Sequence, residues 1–319
     1  MTPYFLAQGP WPRSSGRSAL TSIVGAFLLV AATVLPVAAD EPSNVGDWGA
    51  PTAVTAANTA AHDGCPIESP NGRQLFIASN RPGGHGKNDI WVAQRQNKNA
   101  PWGPMQNLGP AINTADHEFC PTPLGGGWLL FVSDRVACGA TPGMTPPVGD
   151  IYLTRQLHDG TWTAPQHLGC VADGSGPNFT GGEFGPSLVT TPGGTYLYFS
   201  STGTSGNHDI YRSRLNSDGT FDTPHGVAEL NTAAVDQMPN VSADGSEIVF
   251  ASNRGGNMDI WTATFDGSTG LWSSPVPVAA VNTAEPETRP SLSGDGARLY
   301  FGRGATADVY VSVRVEIQH

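Results

Sequence analysis

Five copies of one short phrase constrain this chain more than any other feature. An acid, a β-branched residue and an aromatic recur at Asp89-Ile90-Trp91, Asp150-Ile151-Tyr152, Asp209-Ile210-Tyr211, Asp259-Ile260-Trp261 and Asp308-Val309-Tyr310. The spacings are 61, 59, 50 and 49 residues. Self-similarity at such a period is the mark of a propeller or a solenoid. Each phrase follows a short apolar run, such as Glu247–Ala251, and each run follows a tight-turn pair: Asn71-Gly72, Gly126-Gly127, Gly193-Gly194, Asp244-Gly245 or Asp295-Gly296. Such pairs allow positive φ in two-residue hairpins. A proline precedes each turn (Pro66, Pro121, Pro186, Pro239, Pro290), and the first strand of each unit is expected to start just after it.

Every unit thus holds three strand candidates, and a fourth begins near Trp102, Trp162, Phe221 and Trp272. The fifth unit has no room for its own fourth strand. The missing piece lies at the other end, where Trp48-Gly-Ala-Pro-Thr-Ala-Val54 matches Trp102-Gly-Pro-Met-Gln-Asn-Leu108. An outer strand donated by the N-terminus closes a ring and removes an exposed edge, which a linear solenoid does not require. The expected fold is all-β: one five-bladed β-propeller over residues 40–319. The 40 Gly and 27 Pro among 319 residues, with 13% charged residues, suit short strands and turns.

Residues 1–39 read as an export signal. Arg13 and Arg17 precede an uncharged apolar run from Ala19 to Leu35, and Val37-Ala38-Ala39 forms a small-residue cleavage site. A retained anchor is the rival reading, because 17 residues approach the minimum span. Cleavage leaves 27 acidic against 14 basic residues, a net charge of −13. No basic stripe remains, so nucleic acid and anionic membrane surfaces are excluded as partners. A secreted or periplasmic monomer is expected, and its four cysteines read as disulfides.

The stretch Pro239–Trp261 (Pro-x-x-Ser-x-Asp-Gly, then an apolar run, Ser-Asn-Arg-Gly-Gly and Asp-Ile-Trp) resembles the WD40-like β-propeller repeat of TolB and many exported bacterial proteins. Asn-Thr-Ala at Asn58, Asn113, Asn231 and Asn282 is similar to that family too. Unit three departs most, lacking Asn-Thr-Ala and carrying Ser201-Thr202-Gly203 in place of Ser-Asn-Arg. The resemblance implies the fold and a binding or scaffolding role. It does not imply an activity.

An acid stands three residues before each first-strand proline: Asp63, Glu118, Glu183, Asp236 and Glu287. In a propeller these are expected to ring one mouth of the central channel. At about 8 Å and an effective dielectric of about 20, each adjacent pair repels by roughly 2 kcal/mol. The leading solution is an arginine per blade: Arg81, Arg135 and Arg254, with Arg303 a residue or two out of register. Unit three has no such arginine, which leaves Glu183 as the free acid. A bound cation such as calcium is the second solution, and raised pKa values the third. No cofactor is otherwise implied. His62 and His117 sit beside two ring acids as further ligand candidates.

Two insertions, Val136–Gly149 and Val171–Gly182, are expected side by side on the carboxylate face. A Cys138–Cys170 bridge would tie them, closing a loop worth about 3–4 kcal/mol on chain entropy. Cys65 and Cys120 hold equivalent places in adjacent units and are expected to pair. Asn178-Phe-Thr180 fits a glycosylation acceptor. The function expected is a non-catalytic binding or scaffold module that presents an acidic channel mouth and bridged loops to a protein segment, a cationic group or a glycan. The alternative is a carbohydrate-active enzyme in which Glu118 and Glu183 supply the two carboxylates that glycoside hydrolysis needs.

Overall fold

The computed structural model describes residues 47–135, 138, 149–203 and 206–315. The export segment, most of the first insertion and the last four residues lie outside the described residues. The chain begins with β1 (Thr52–Ala53) and builds blade one from β2 (Asp63–Glu68), β3 (Gln74–Ser79), β4 (Asp89–Gln94) and β5 (Gln106–Asn107). Blade two follows as β6 (Glu118–Pro123), β7 (Trp128–Ser133), β8 (Asp150–Arg155) and β9 (Gln166–His167). Blade three is β10 (Glu183–Thr191), β11 (Gly194–Ser201), β12 (Asp209–Leu215) and β13 (His225–Gly226). Blade four is β14 (Asp236–Val241), β15 (Glu247–Ser252), β16 (Asp259–Asp266), β17 (Leu271–Trp272) and β18 (Val276–Pro277). Blade five is β19 (Glu287–Leu292), β20 (Arg298–Arg303) and β21 (Asp308–Val313).

All strand pairs are antiparallel, and β1 completes blade five by pairing Thr52 with Val311 and Ala53 with Tyr310. Trp48 extends this closure by bridging to Arg314. The protein is therefore a closed five-bladed propeller. Its apolar residues lie between blades, where the faces of neighbouring sheets meet. Ile67, Phe76 and Val92 of blade one pack with Leu129, Phe131 and Tyr152 of blade two. Val249 and Ile260 of blade four pack with Leu292, Leu299 and Phe301 of blade five. Each such side chain contributes about 1.5–3 kcal/mol by leaving water. Among the described residues no helix is long and apolar enough to cross a membrane.

The innermost strands differ from expectation in one respect. They begin at the acids and not after the prolines, because each continues through its proline across a bulge. Proline is tolerated there because the strand is the sheet edge facing the axis and the bulge frees it from the ladder. The residue before each proline carries the turn at positive φ: Cys65 at 53°, Cys120 at 47°, Gly185 at 59°, Met238 at 56° and Arg289 at 54°. At Gly185 glycine is required sterically as well, since a Cβ would lie 2.6 Å from the Met238 backbone. These five residues face the channel as one layer.

Candidate functional site

The five acids stand at equivalent places, but they are not displayed at a mouth. Each is fully buried. Asp63 accepts hydrogen bonds from the Thr59 N–H at 2.6 Å, the Thr59 hydroxyl at 2.7 Å and the Ser79 hydroxyl, and pairs with Arg81 at 2.6 Å. Glu118 is held in the same way by Thr114, Ser133 and Arg135, the last at 3.1 Å. Asp236 is held by Thr232, Ser252 and Arg254. In blade five Arg303 takes the serine's own register place opposite Glu287 and reaches it through Nε at 2.8 Å, while Thr283 supplies the other donors. Each arginine also donates to a carbonyl, of Ala57, Ile112, Leu230 or Val281. The threonine of Asn-Thr-Ala is thus a carboxylate donor.

The asparagine of the same phrase ties the next blade back to the previous one. Asn113 clamps Ile90, Asn231 clamps Ile210, Asn282 clamps Ile260 and Asn58 clamps Val309, each through both backbone groups. In blade three this role falls to Asn178, which bonds the N–H and carbonyl of Ile151 and is fully buried. Asn178-Phe-Thr180 is therefore a degenerate Asn-Thr-Ala, not a glycan acceptor. The sequence signal was present but masked, because Phe179 stands where threonine stands in the other units.

That replacement leaves Glu183 differently held. Its Oε1 accepts from the Phe179 N–H at 3.0 Å and the Ser201 hydroxyl at 2.9 Å. Its Oε2 is buried without a hydrogen-bond partner, and so is Asp150 Oδ1. Burial, and then the Asp150 charge, push Glu183 well above the usual carboxylate range. A single proton on Glu183 satisfies both orphan oxygens if it is donated to Asp150. The other Asp150 oxygen, Oδ2, accepts from the Cys138 N–H at 2.8 Å and lies 2.5 Å from His167 Nε2. His167 fills the place of Asn107, which bonds Asp89 in blade one.

Cys138 and Cys170 are bonded, as their places in the sequence predict, with Cα atoms 5.8 Å apart. With Asp150 and His167 they offer four donor atoms within 4.8 Å of one another, but the S–S bond commits both sulfurs. The second expected bridge is absent. Cys65 and Cys120 are free thiols with sulfurs 3.4 Å apart, and the Arg289 guanidinium lies against both. Sequence reading had no means of placing Arg289 there.

The channel at this layer is nearly filled. A space of about 30 Å³ remains, lined by Cys65, Cys120, Gly185, Met238, Arg289 and the prolines that follow them. A larger cleft of about 240 Å³ opens at the other ends of the inner strands, between blades one and two. Phe76, Trp128 and Trp162 give it aromatic walls, and Asn71, Gln74 and Gln156 give it amides. The Arg155 guanidinium lies 5.3 Å from the centre of the Trp128 ring. The sequence showed these tryptophans only as strand markers.

No family model matches the chain, and no curated protein matches it. Its fold is shared with solved structures. An α-L-arabinofuranosidase from Lactobacillus brevis aligns at a TM-score of 0.55 with 12% identity, covering 81% of this chain and 92% of that one. The catalytic domain of a Coprinopsis cinerea GH62 α-L-arabinofuranosidase aligns at 0.55 with 13% identity, covering 85% and 98%. A candidate TolB from Agrobacterium tumefaciens aligns at 0.46 with 16% identity, covering 82% and 79%. At these identities the likeness to the two arabinofuranosidases is one of fold alone, and it does not choose between an enzyme and a binding module.

Proposed function

We propose that this is an exported, non-catalytic binding propeller whose ligand is a short glycan held in the cleft between blades one and two. The observation that carries the non-catalytic reading is the state of the acids. Four of the five are buried, arginine-paired and bonded by threonine, so they offer neither an accessible base nor a nucleophile. Glu118, one of the two acids a glycosidase reading requires, is among them. Glu183 is unpaired by arginine but equally buried. Glycoside hydrolysis needs two carboxyl groups that flank a bound sugar, and none of the five ring acids is exposed to serve as one.

The cleft supports a sugar ligand by its composition. Pyranose and furanose rings present C–H faces that lie on the negative face of an aromatic ring, while their hydroxyls require amide partners at the rim. Trp128, Trp162 and three amide side chains supply both. The Cys138–Cys170 lip on the opposite face is the second surface. Its loop is preorganised by the Cys170 N–H bonding Ser175 Oγ at 2.8 Å and the Ser175 N–H bonding Asp173 at 2.9 Å, which suits a protein segment.

A glycan array followed by calorimetric titration tests the proposal. Binding that weakens at least tenfold in Trp128→Ala or Trp162→Ala, with no release of chromophore from aryl arabinosides or xylosides, is the expected result. Turnover of any such glycoside that is lost in Glu118→Gln or Glu183→Gln would show an enzyme. Glycan binding indifferent to both tryptophans would move the site elsewhere.

A further inference from the structure

The cleft between blades one and two differs in charge from the rest of the molecule. The chain carries 27 acidic and 16 basic residues, yet none of the residues lining this cleft is acidic. The hairpin turns contribute to this. In blades four and five the turn between the first two strands holds an aspartate, Asp244 or Asp295, which accepts from the Ser242 or Ser293 hydroxyl at 2.6 Å. In blade one Asn71 takes that place and accepts from Ser69 at 2.8 Å without a charge. Blade two has Gly125-Gly126-Gly127 there. The two acids nearest the lining in sequence are already engaged. Glu68 is buried and held by Arg95 at 3.0 Å, Arg298 at 3.1 Å and the Tyr300 hydroxyl at 2.6 Å. Asp159 accepts from the Thr161 N–H at 2.9 Å and the Thr161 hydroxyl at 2.6 Å.

One exposed cation stands on the cleft wall. Arg155 is the cross-strand partner of Trp128. Its guanidinium lies 5.3 Å from the centre of the Trp128 ring, and its Nε donates to the Gly126 carbonyl at 3.2 Å. The other arginines set against tryptophans all have an acid as well. Arg81 against Trp91 pairs with Asp63, Arg95 against Trp102 with Glu68, Arg254 against Trp261 with Asp236, and Arg314 against Trp48 with Glu247. Among the described residues no acid pairs with Arg155. The place that a glutamate or aspartate fills beside the other four is open to a ligand here.

We propose that the cleft selects a glycan bearing an acid group, either a uronate carboxylate or a sulfate ester, and that Arg155 supplies the counter-charge. This rests on the glycan-binding reading of the cleft and adds the charge of the ligand to it. A sugar ring against Trp128 presents its substituents at the rim, where the terminal guanidinium nitrogens offer two parallel N–H bonds to a carboxylate or a sulfate. The Trp128 stack and the Gly126 bond already hold the guanidinium, so binding costs little further side-chain freedom. An exposed ion pair contributes little by itself. Arg155 therefore sets which sugars are preferred, while the aromatic walls supply most of the affinity.

Calorimetric titration of the mature chain with matched pairs tests this. One pair is glucuronan oligosaccharides and their methyl esters, and the other is carrageenan oligosaccharides and their desulfated forms. At least one acid form should bind about tenfold more tightly than its neutral twin, and which pair shows it identifies the acid group. That affinity should fall severalfold between about 50 and 500 mM salt, while the twin's holds. In Arg155→Gln, with its melting temperature confirming a folded protein, the acid-to-neutral ratio should collapse towards one. Arg155→Lys should keep part of it. A ratio near one in wild type for both pairs, or a ratio kept in Arg155→Gln, would overturn the proposal. The neutral twins separate this inference from the reading beneath it. Twins that bind through Trp128 and Trp162 as tightly as the acids leave the glycan site standing and remove its charge selectivity. If no member of either pair binds, both fall.

Discussion

Arg303 faces Glu287 across the β19–β20 ladder, at the register place that serine occupies opposite the acid in the other four blades. The guanidinium reaches Oε1 directly, at 2.8 Å, and no hydroxyl is needed between them. In blade one the arginine sits two residues further on, and its Nε bonds the serine hydroxyl while its terminal nitrogen bonds the acid. Two different residue placements therefore produce one interaction, which indicates that neutralisation of the buried acid is the fixed requirement.

Removing one partner of such a tie should be costly. Arg303→Met leaves Glu287 buried and charged, and a loss of about 3–5 kcal/mol in urea unfolding is expected. Arg303→Met combined with Glu287→Gln should recover most of that loss. A double variant as unstable as the single one would show that Arg303 acts through packing or through its bond to the Val281 carbonyl.

Glu183 predicts a pH-dependent effect of known sign. Its folded pKa is raised, chiefly by burial and next by Asp150, from an ordinary value of 4.5. The folded state then holds the proton more tightly than the unfolded chain does. The group's contribution is complete at acid pH and is lost as pH rises through the folded value. Glu183→Gln removes the titration while keeping a donor for Asp150. The variant should match wild type near pH 4 and melt higher by about 2–4 °C, on the order of 1 kcal/mol, at pH 8. A variant that melts lower at pH 8 would show Glu183 ionised and structurally required.

Ring closure should depend on a very short segment. β1 contributes two paired residues, Trp48 adds a bridge to Arg314, and Val54 and Trp48 enter the cores on either side of blade five. Arg314 lies 4.0 Å from the centre of the Trp48 ring. A chain starting at residue 56 exposes the β21 edge and should both melt lower and self-associate on size-exclusion chromatography. Equal stability and a monomeric profile would mean that β21 needs no outer partner.

The repeat made the architecture legible because a propeller is local in sequence: each blade is a meander whose four strands follow one another. Trp48–Val54 was recognisable as a displaced fourth strand for the same reason. The arginine per acid was legible because both lie within one unit, 16 to 18 residues apart. The Cys138–Cys170 bridge was also legible, since Cys138 lies within the first insertion and Cys170 flanks the second. Asn178 was not, because its phrase had lost threonine, and only its bonds to Ile151 reveal the shared role.

What lay beyond the sequence is whatever depends on contacts across the closed ring. Composition and spacing determined a five-bladed all-β ring with one acid per blade at the start of its inner strand. They placed the acids at the channel end but did not decide whether a ligand could reach them, because exposure depends on how neighbouring blades cover each strand start. Arg289 and Cys65 are 224 residues apart in the chain and touch only because blades five and one are neighbours once the ring closes. The tertiary structure alone put a guanidinium against two buried thiols at the axis, because only ring closure brings blades one, two and five together there.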